Sequence, residues 1–142
     1  MDTHISRITE FDNNFIRSLL EKAGVSQPEP NPEFFKDEKN IMLVAHTGSA
    51  VSGFLWAYVL LSPDKSRHRM YLYSIDVFEP FRRQGIATLM IRHLKKIAWS
   101  YNCYKMFLQT GKNNPAAVAL YRGTGGIALN YGEDVTFTYD QE

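Results

Sequence analysis

The most constraining feature of this 142-residue chain is an abrupt change of hydrophobic pattern near its centre. Residues 70–78 are aromatic and β-branched, which favours a β-strand, whereas residues 86–101 carry apolar side chains at helical spacing. Gly85 lies at the junction, where a glycine lets the backbone turn tightly and leaves no side chain in front of the helix. The centre of the chain is therefore predicted to fold as a strand, a sharp turn and a helix.

The remaining patterns predict a mixed α/β protein whose first half is mainly antiparallel. Asp12 is a candidate N-cap for a helix that ends near Gly24, and Asn114 is one for a short helix that ends near Arg122. Three prolines between positions 28 and 32 favour a loop that leads into a short turn. Further strands are predicted at 3–8, 41–46, 51–61, 104–110 and 135–139, and the turn at 33–39.

Length and composition favour one globular domain, 1–142, without a membrane-spanning segment. The longest apolar run has eight residues, 54–61, against the ~20 that cross a bilayer. One cysteine, Cys103, and four scattered histidines give no metal-ligand spacing, and the polar N-terminus lacks a signal-peptide pattern. We therefore expect a cytoplasmic protein without a metal.

Charge is distributed unevenly along the chain, although the net charge is only +1. Residues 80–132 contain eight lysines and arginines and no acidic residue, so the rest of the chain carries a charge of −7. A basic segment is compatible with a nucleic-acid-binding module, although no known nucleic-acid motif is present. It is equally compatible with a phosphate-bearing ligand, and the acidic remainder suggests a cationic second substrate.

The junction at Gly85 combines the features of an anion site. The first amides of a helix have no partner within the helix, and the aligned peptide dipoles favour a negative group there. Arg82 and Arg83 stand just before these amides. The pattern predicts a pyrophosphate site, although it has neither the Gly-Lys-Ser/Thr of a P-loop nor the three glycines of a dinucleotide fingerprint.

Two motifs at this separation resemble the GNAT superfamily of N-acetyltransferases. The first is Arg82-x-x-Gly85-x-Ala87 after the fourth strand, and the second is Asn114-x-x-Ala117-x-x-x-Tyr121 after the fifth. The resemblance implies the acyl-CoA N-acyltransferase fold, a mixed and mainly antiparallel sheet of about six to seven strands flanked by about four helices. It also implies that acetyl-CoA is the acetyl donor and that an amine attacks the thioester directly.

The resemblance assigns roles to residues of both motifs and of the strand before them. The amide near Val77 would hold the carbonyl oxygen, and Tyr121 would protonate the departing thiolate. Asn114 would contact the donor from the other side. The residues assigned to acetyl-CoA are Ile75, Asp76, Val77, Arg82, Arg83, Gln84, Gly85, Ile86, Ala87, Thr88, Asn114 and Tyr121.

The attacking amine must lose a proton, because an alkylammonium group has a pKa of about 10. Strand alternation places Ser74 and Asp76 on one face, and Tyr73 with Ile75 and Val77 on the other. Asp76 is therefore the candidate base, with Glu79 or a water held by Ser74 as alternatives.

The sequence leaves the identity of the acceptor amine open. Residues 71–77, 82–88 and 115–121 resemble the aminoglycoside 3-N-acetyltransferase branch of the superfamily, which implies an aminoglycoside or another cationic small molecule. This chain has Ser74, Asn113 and Asn114 where that branch has acids, and fewer carboxylates would bind a polycation less well. A protein or peptide amine and a non-catalytic acetyl-CoA sensor are the alternatives. Superfamily members often pair, which makes a homodimer compatible with the resemblance.

Overall fold

The computed structural model describes residues 2–129 and 134–141, whose strands form one seven-stranded sheet. Three α-helices accompany the sheet in the described part of the chain. The elements are, in chain order, β1 (Thr3–Arg7), α1 (Asn13–Lys22), β2 (Asn40–Thr47), β3 (Ala50–Leu60), β4 (His68–Val77), α2 (Ile86–Ser100), β5 (Cys103–Gly111), α3 (Pro115–Gly123), β6 (Ile127–Ala128) and β7 (Asp134–Asp140).

The predicted mixed α/β fold is confirmed. The strand order is β1-β2-β3-β4-β5-β7-β6, and β4 and β5 are the parallel pair in an otherwise antiparallel sheet. The predicted turn after the prolines is a single 3-10 turn, Pro32–Lys36, capped by the Asn31 side chain. The sequence prediction missed β6, which has only two residues and follows a glycine-rich turn, so it carries no readable periodicity.

Successive side chains along the strands point to opposite faces of the sheet and contribute to two apolar clusters, one on each face. In β2, Ile41 and Leu43 join the cluster beneath α2 and α3, whereas Met42 and Val44 join the cluster beneath α1. Cys103 is buried in the first of these clusters. None of the described helices is both long enough and apolar enough to span a membrane.

A β-bulge in β4 corrects one sequence prediction. Trp56 pairs with Ser74 while the next residue of β3, Ala57, pairs with Leu72, so Tyr73 is an extra residue in β4. Tyr73 therefore does not share a face with Ile75. Its ring stacks on Trp56 at 5.7 Å on the α1 side, because the bulge interrupts the alternation on which the prediction relied.

The parallel pair β4 and β5 separates close to this bulge. Their register ends at Tyr71 and Phe107, although β4 continues to Val77 and β5 to Gly111. The last six residues of β4 therefore have no strand beside them on the β5 side. The carboxyl ends of the two strands open into the groove described below.

Candidate active site

A groove of about 690 Å³, here called the central groove, lies where β4 and β5 separate. The end of β4, the following loop, the first turn of α2, the end of β5 and α3 form its walls. Every residue predicted to bind acetyl-CoA lines this groove except Gln84. Those that line it are Ile75, Asp76, Val77, Arg82, Arg83, Gly85, Ile86, Ala87, Thr88, Asn114 and Tyr121.

Some lining residues were not singled out from the sequence. Leu120 lies three positions after the motif residue Ala117 on α3, and Ala116 lies four positions before Leu120, so helical spacing offered a signal for both. Phe81 and Thr110 also line the groove. No local signal pointed to Thr110, because its position depends on where β5 ends relative to β4.

The N-terminus of α2 differs from those of the other two α-helices in the described residues. The Asp12 side chain caps α1, and the Asn114 side chain caps α3 by accepting from the Ala117 amide at 3.2 Å. Gly85 occupies the capping position of α2 with φ 78° and offers no side-chain hydrogen bond. A Cβ atom at Gly85 would meet no heavy atom within 4 Å, so the space at this helix end is open to a ligand.

Arg82 connects the loop before α2 to the end of β4. Its Nε donates to the Val77 carbonyl at 2.8 Å, and a terminal guanidinium nitrogen lies 3.8 Å from Asp76 Oδ1. Arg83 lies beside it in the left-handed region, with φ 65°. Two cations thus border the groove close to the uncapped amides of α2.

Asp76 lies at the carboxyl end of β4, with its side chain 31% exposed. Partial burial raises the pKa of this carboxyl above its ordinary value, while Arg82 and a hydrogen bond from the Val77 amide act in the opposite direction. Asp76 and Val77 are adjacent residues of β4, and both line the central groove.

Tyr121 lies in the last turn of α3 and is only 7% exposed. Burial raises the pKa of its phenol above the ordinary value of 10, so the hydroxyl keeps its proton at neutral pH. Its ring packs on Phe137 with centroids 5.3 Å apart. Its backbone carbonyl accepts hydrogen bonds from the Gly126 amide at 2.8 Å and the Tyr139 hydroxyl at 3.3 Å. These contacts hold the end of α3 against the sheet.

Gly53 of β3 lies next to the end of β4, on the side away from β5. It was not identified from the sequence. It pairs with Val77, and a Cβ atom at this position would lie 2.5 Å from the Asp76 carbonyl oxygen. The end of β4 can approach β3 this closely only because residue 53 has no side chain. A lone glycine within a strand pattern was the available signal.

Comparison with known proteins identifies the family of this chain. Residues 10–125 match the model of the acetyltransferase (GNAT) family. N-acetyltransferase family 8 member 2 from Rattus norvegicus is 30% identical over 82 residues, which cover 58% of this chain and 36% of that protein. The chain thus spans about a third of the length of this relative.

Two further similarities cover more of the chain. An N-alpha-acetyltransferase from Saccharolobus solfataricus is 27% identical over 118 residues, which cover 75% of this chain and 71% of that protein. The crystal structure of an aminoglycoside acetyltransferase from an uncultured soil metagenomic sample superposes with a TM-score of 0.78 at 25% identity, and covers 88% of this chain and 91% of its own. The motifs, the fold and the family model agree, and the chain belongs to the GNAT family of N-acetyltransferases, enzymes of the acyltransferase class.

Proposed function

We propose that this protein binds acetyl-CoA in the central groove and transfers the acetyl group directly to a primary amine. GNAT acetyltransferases use acetyl-CoA as the donor. One observation carries the proposal for this chain: the uncapped N-terminus of α2 and the unpaired edge of β4 open into one groove that also contains Tyr121. The amides of residues 86–88, with Arg82 and Arg83, would bind the pyrophosphate.

The residues around the β4 edge would carry out the chemistry. The Val77 amide would donate to the thioester oxygen as negative charge develops, a role in which one donor contributes about 3–4 kcal/mol. Asp76 would accept the proton of the acceptor ammonium, directly or through a water held by Ser74, and Glu79 remains the alternative base. Tyr121 would protonate the thiolate of CoA.

Two classes of acceptor follow from the similar proteins. The aminoglycoside acetyltransferase favours a small cationic amine, and the N-alpha-acetyltransferase favours a peptide amine. Both kinds of acceptor carry a primary amine, from which Asp76 could accept a proton while the Val77 amide donates to the thioester oxygen. The proposal therefore covers acetyl transfer to a primary amine of either class.

Calorimetric titration with acetyl-CoA and a thiol-release assay with a panel of amines test the proposal. Gly85→Asp should abolish binding, because it puts a negative side chain into the space for the pyrophosphate. Arg82→Ala should weaken binding about tenfold. Arg92→Ala is the matched control, since Arg92 is an exposed cation of α2 outside the groove and its loss should change nothing.

Each alternative has its own result in these assays. Unchanged acetyl-CoA affinity in both groove variants would overturn the proposed site. Tight acetyl-CoA binding without thiol release on any amine would indicate a sensor. Salt-sensitive binding of DNA or RNA without acetyl-CoA binding would favour a nucleic-acid-binding module.

A further inference from the structure

An apolar cavity of about 180 Å³, here called the α1 cavity, lies between α1 and the sheet on the face opposite the cluster of α2. Leu20 of α1, Phe34 of the 3-10 turn and Trp56 of β3 are among its walls, and the other apolar lining residues are also aliphatic or aromatic. Glu29 is the one charged residue among those that line it, and Asn31 is the one amide. No role assigned so far uses this cavity.

The α1 cavity is open to solvent and has room for a ring. Its volume is comparable to that of an apolar cavity of about 150 Å³ that binds benzene, so one six-membered ring can lie against its walls. A hydroxylated sugar ring would leave its hydroxyl groups against apolar walls, which costs roughly 1–3 kcal/mol for each hydroxyl without a partner. The walls therefore favour one flat apolar ring over a sugar of an aminoglycoside.

The α1 cavity and the candidate base lie on the same face of the sheet, and Trp56 connects them. Trp56 is the direct cross-strand partner of Ser74, and Asp76 is two residues further along β4 on that face. Such diagonal neighbours are roughly 7–8 Å apart, a distance that an alkyl chain of a few carbon atoms spans. The bulged Tyr73 stacks on Trp56 and lies 57% exposed, so aromatic surface continues from the cavity towards the β4 edge.

Charges around the α1 cavity do not favour a second cationic group on the acceptor. Glu33 forms an ion pair with Lys36, and Asp37 forms one with Lys39. Glu29 is exposed to solvent, where an ion pair contributes little. Among the described carboxylates whose burial is given, Asp76 is the one that is partly buried. It lies at the position proposed for the reacting amine.

We propose that the acceptor is a primary amine joined by a short alkyl chain to one flat apolar ring, with the ring in the α1 cavity and the amine at Asp76. This inference rests on the proposed function, because Asp76 and the groove supply the transfer. It replaces the cationic acceptor suggested by overall charge with an acceptor that carries a single cation. Aromatic walls and one carboxylate would recognise it.

Thiol release with matched amines is the first test. Phenylethylamine and phenylpropylamine should be acetylated with a kcat/KM at least about tenfold higher than that of butylamine, which lacks the ring, and that of an aminoglycoside. Leu20→Trp, which fills the cavity, should lower kcat/KM for the phenylalkylamines at least about tenfold and leave the acetyl-CoA affinity unchanged. Leu61→Trp is the matched control at an exposed leucine outside the cavity.

Tryptophan emission reports ring binding independently of turnover. The chain has two tryptophans, Trp56 and Trp99, so in a Trp99→Phe protein the emission comes from the cavity wall. Phenylpropylamine should change this emission saturably. Ligand-observed NMR should show saturable binding of phenylpropylamine to the parent protein and none to Leu20→Trp.

The outcomes separate this inference from the proposed function. Preference for the aminoglycoside, equal rates for butylamine and phenylpropylamine, or unaltered kinetics in Leu20→Trp would overturn the inference while acetyl transfer stands. Saturable ring binding without thiol release on any amine would support the α1 cavity as a ring site and contradict the proposed function. A protein that neither changes emission with the ring nor acetylates phenylalkylamines faster than butylamine contradicts the inference outright.

Discussion

Tyr121, the proposed acid, shows how the surroundings of a single residue control its protonation. The phenol is buried at the end of α3, and this burial raises its pKa, so the protonated form dominates at neutral pH. A neutral phenol can donate its proton to a thiolate, a more basic partner than a carboxylate. The hydrogen bonds that Gly126 and Tyr139 donate to the Tyr121 carbonyl fix the backbone from which this side chain projects.

Replacement of Tyr121 by Phe tests its role as the acid. Tyr121→Phe should lower kcat more than about tenfold and leave the acetyl-CoA affinity nearly unchanged, because only the leaving-group proton is lost. Steady-state kinetics and calorimetry measure the two effects. Tyr104→Phe, outside the groove, is the control. An unaltered kcat in Tyr121→Phe would remove this residue from the mechanism.

Gly53 provides a second test at the residue scale. Gly53→Ala should destabilise the protein by about 1–3 kcal/mol, because the new Cβ atom must displace the Asp76 carbonyl. It should also lower kcat, since the displaced segment carries Val77. Gly123→Ala is the matched control, because a Cβ atom there meets no heavy atom within 4 Å. Urea unfolding and kinetics measure both effects, and equal stability of the two variants would contradict the close approach.

At the scale of elements, the β-bulge of β4 explains why the groove exists. The extra residue Tyr73 lies two positions after Tyr71, the last residue of β4 that pairs with β5. A bulge bends its strand and increases its twist, which turns the end of β4 away from its parallel neighbour. The same bulge places Ile75 and Val77 on the face of α2, and Ser74 and Asp76 on the face of α1. One extra residue thus determines which candidate residues lie on each face of the sheet.

Deletion of Tyr73 should convert β4 into a regular strand. Leu72 and Ile75 would keep their faces, because removal of one residue restores strict alternation, so we expect the variant to fold. Acetyl-CoA affinity should fall more than about tenfold, as pairing with β5 extends and closes the groove. Tyr73→Ala, which keeps the bulge, should bind acetyl-CoA like the parent protein. Equal binding by the deletion variant would show that the bulge does not hold the groove open.

At the scale of the whole molecule, the basic segment extends well beyond the central groove. Of the eight cations in the acid-free segment 80–132, only Arg82 and Arg83 line the central groove. Lys95 lies over the Tyr139 ring and Lys105 over the Tyr104 ring, both away from the groove lining. The basic character of the segment therefore exceeds what the proposed donor uses, and its charge total alone is a weak guide to function.

Asp76 links the site to global stability through pH. Its pKa is raised, so the native state gains from protonated Asp76 below the ordinary pKa of 3.8 and loses this gain as pH rises through the raised pKa. Relative to the parent protein, Asp76→Asn should therefore become more stable as pH rises from below about 4 to neutrality.

Urea unfolding at several pH values measures this effect, and Asp64→Asn provides a control of opposite sign. Hydrogen bonds from Ser66 lower the pKa of Asp64, so loss of that carboxylate should cost stability at neutral pH and not in acid. A stability difference between the parent protein and Asp76→Asn that does not vary with pH would contradict the raised pKa of Asp76.

Much of the framework was predictable because it depends on neighbouring residues. The caps at Asp12 and Asn114, the turn at Gly85 and the long helix after it follow from residue types a few positions apart, and all are present in the structure. The residues predicted to bind acetyl-CoA also line one groove, with the exception of Gln84. Their roles in binding and catalysis remain predictions.

The sequence by itself determined the elements other than β6, their order and the two motifs that mark the family, because local propensity and short spacing encode them. Only the tertiary structure decided the bulge at Tyr73, the separation of β4 from β5, the close approach at Gly53 and the apolar walls of the α1 cavity. These features depend on register and packing between segments far apart in the chain. Pairing of distant strands leaves no periodic signal in either strand alone. For that reason the cavity proposed to bind the acceptor could be identified only from the tertiary structure.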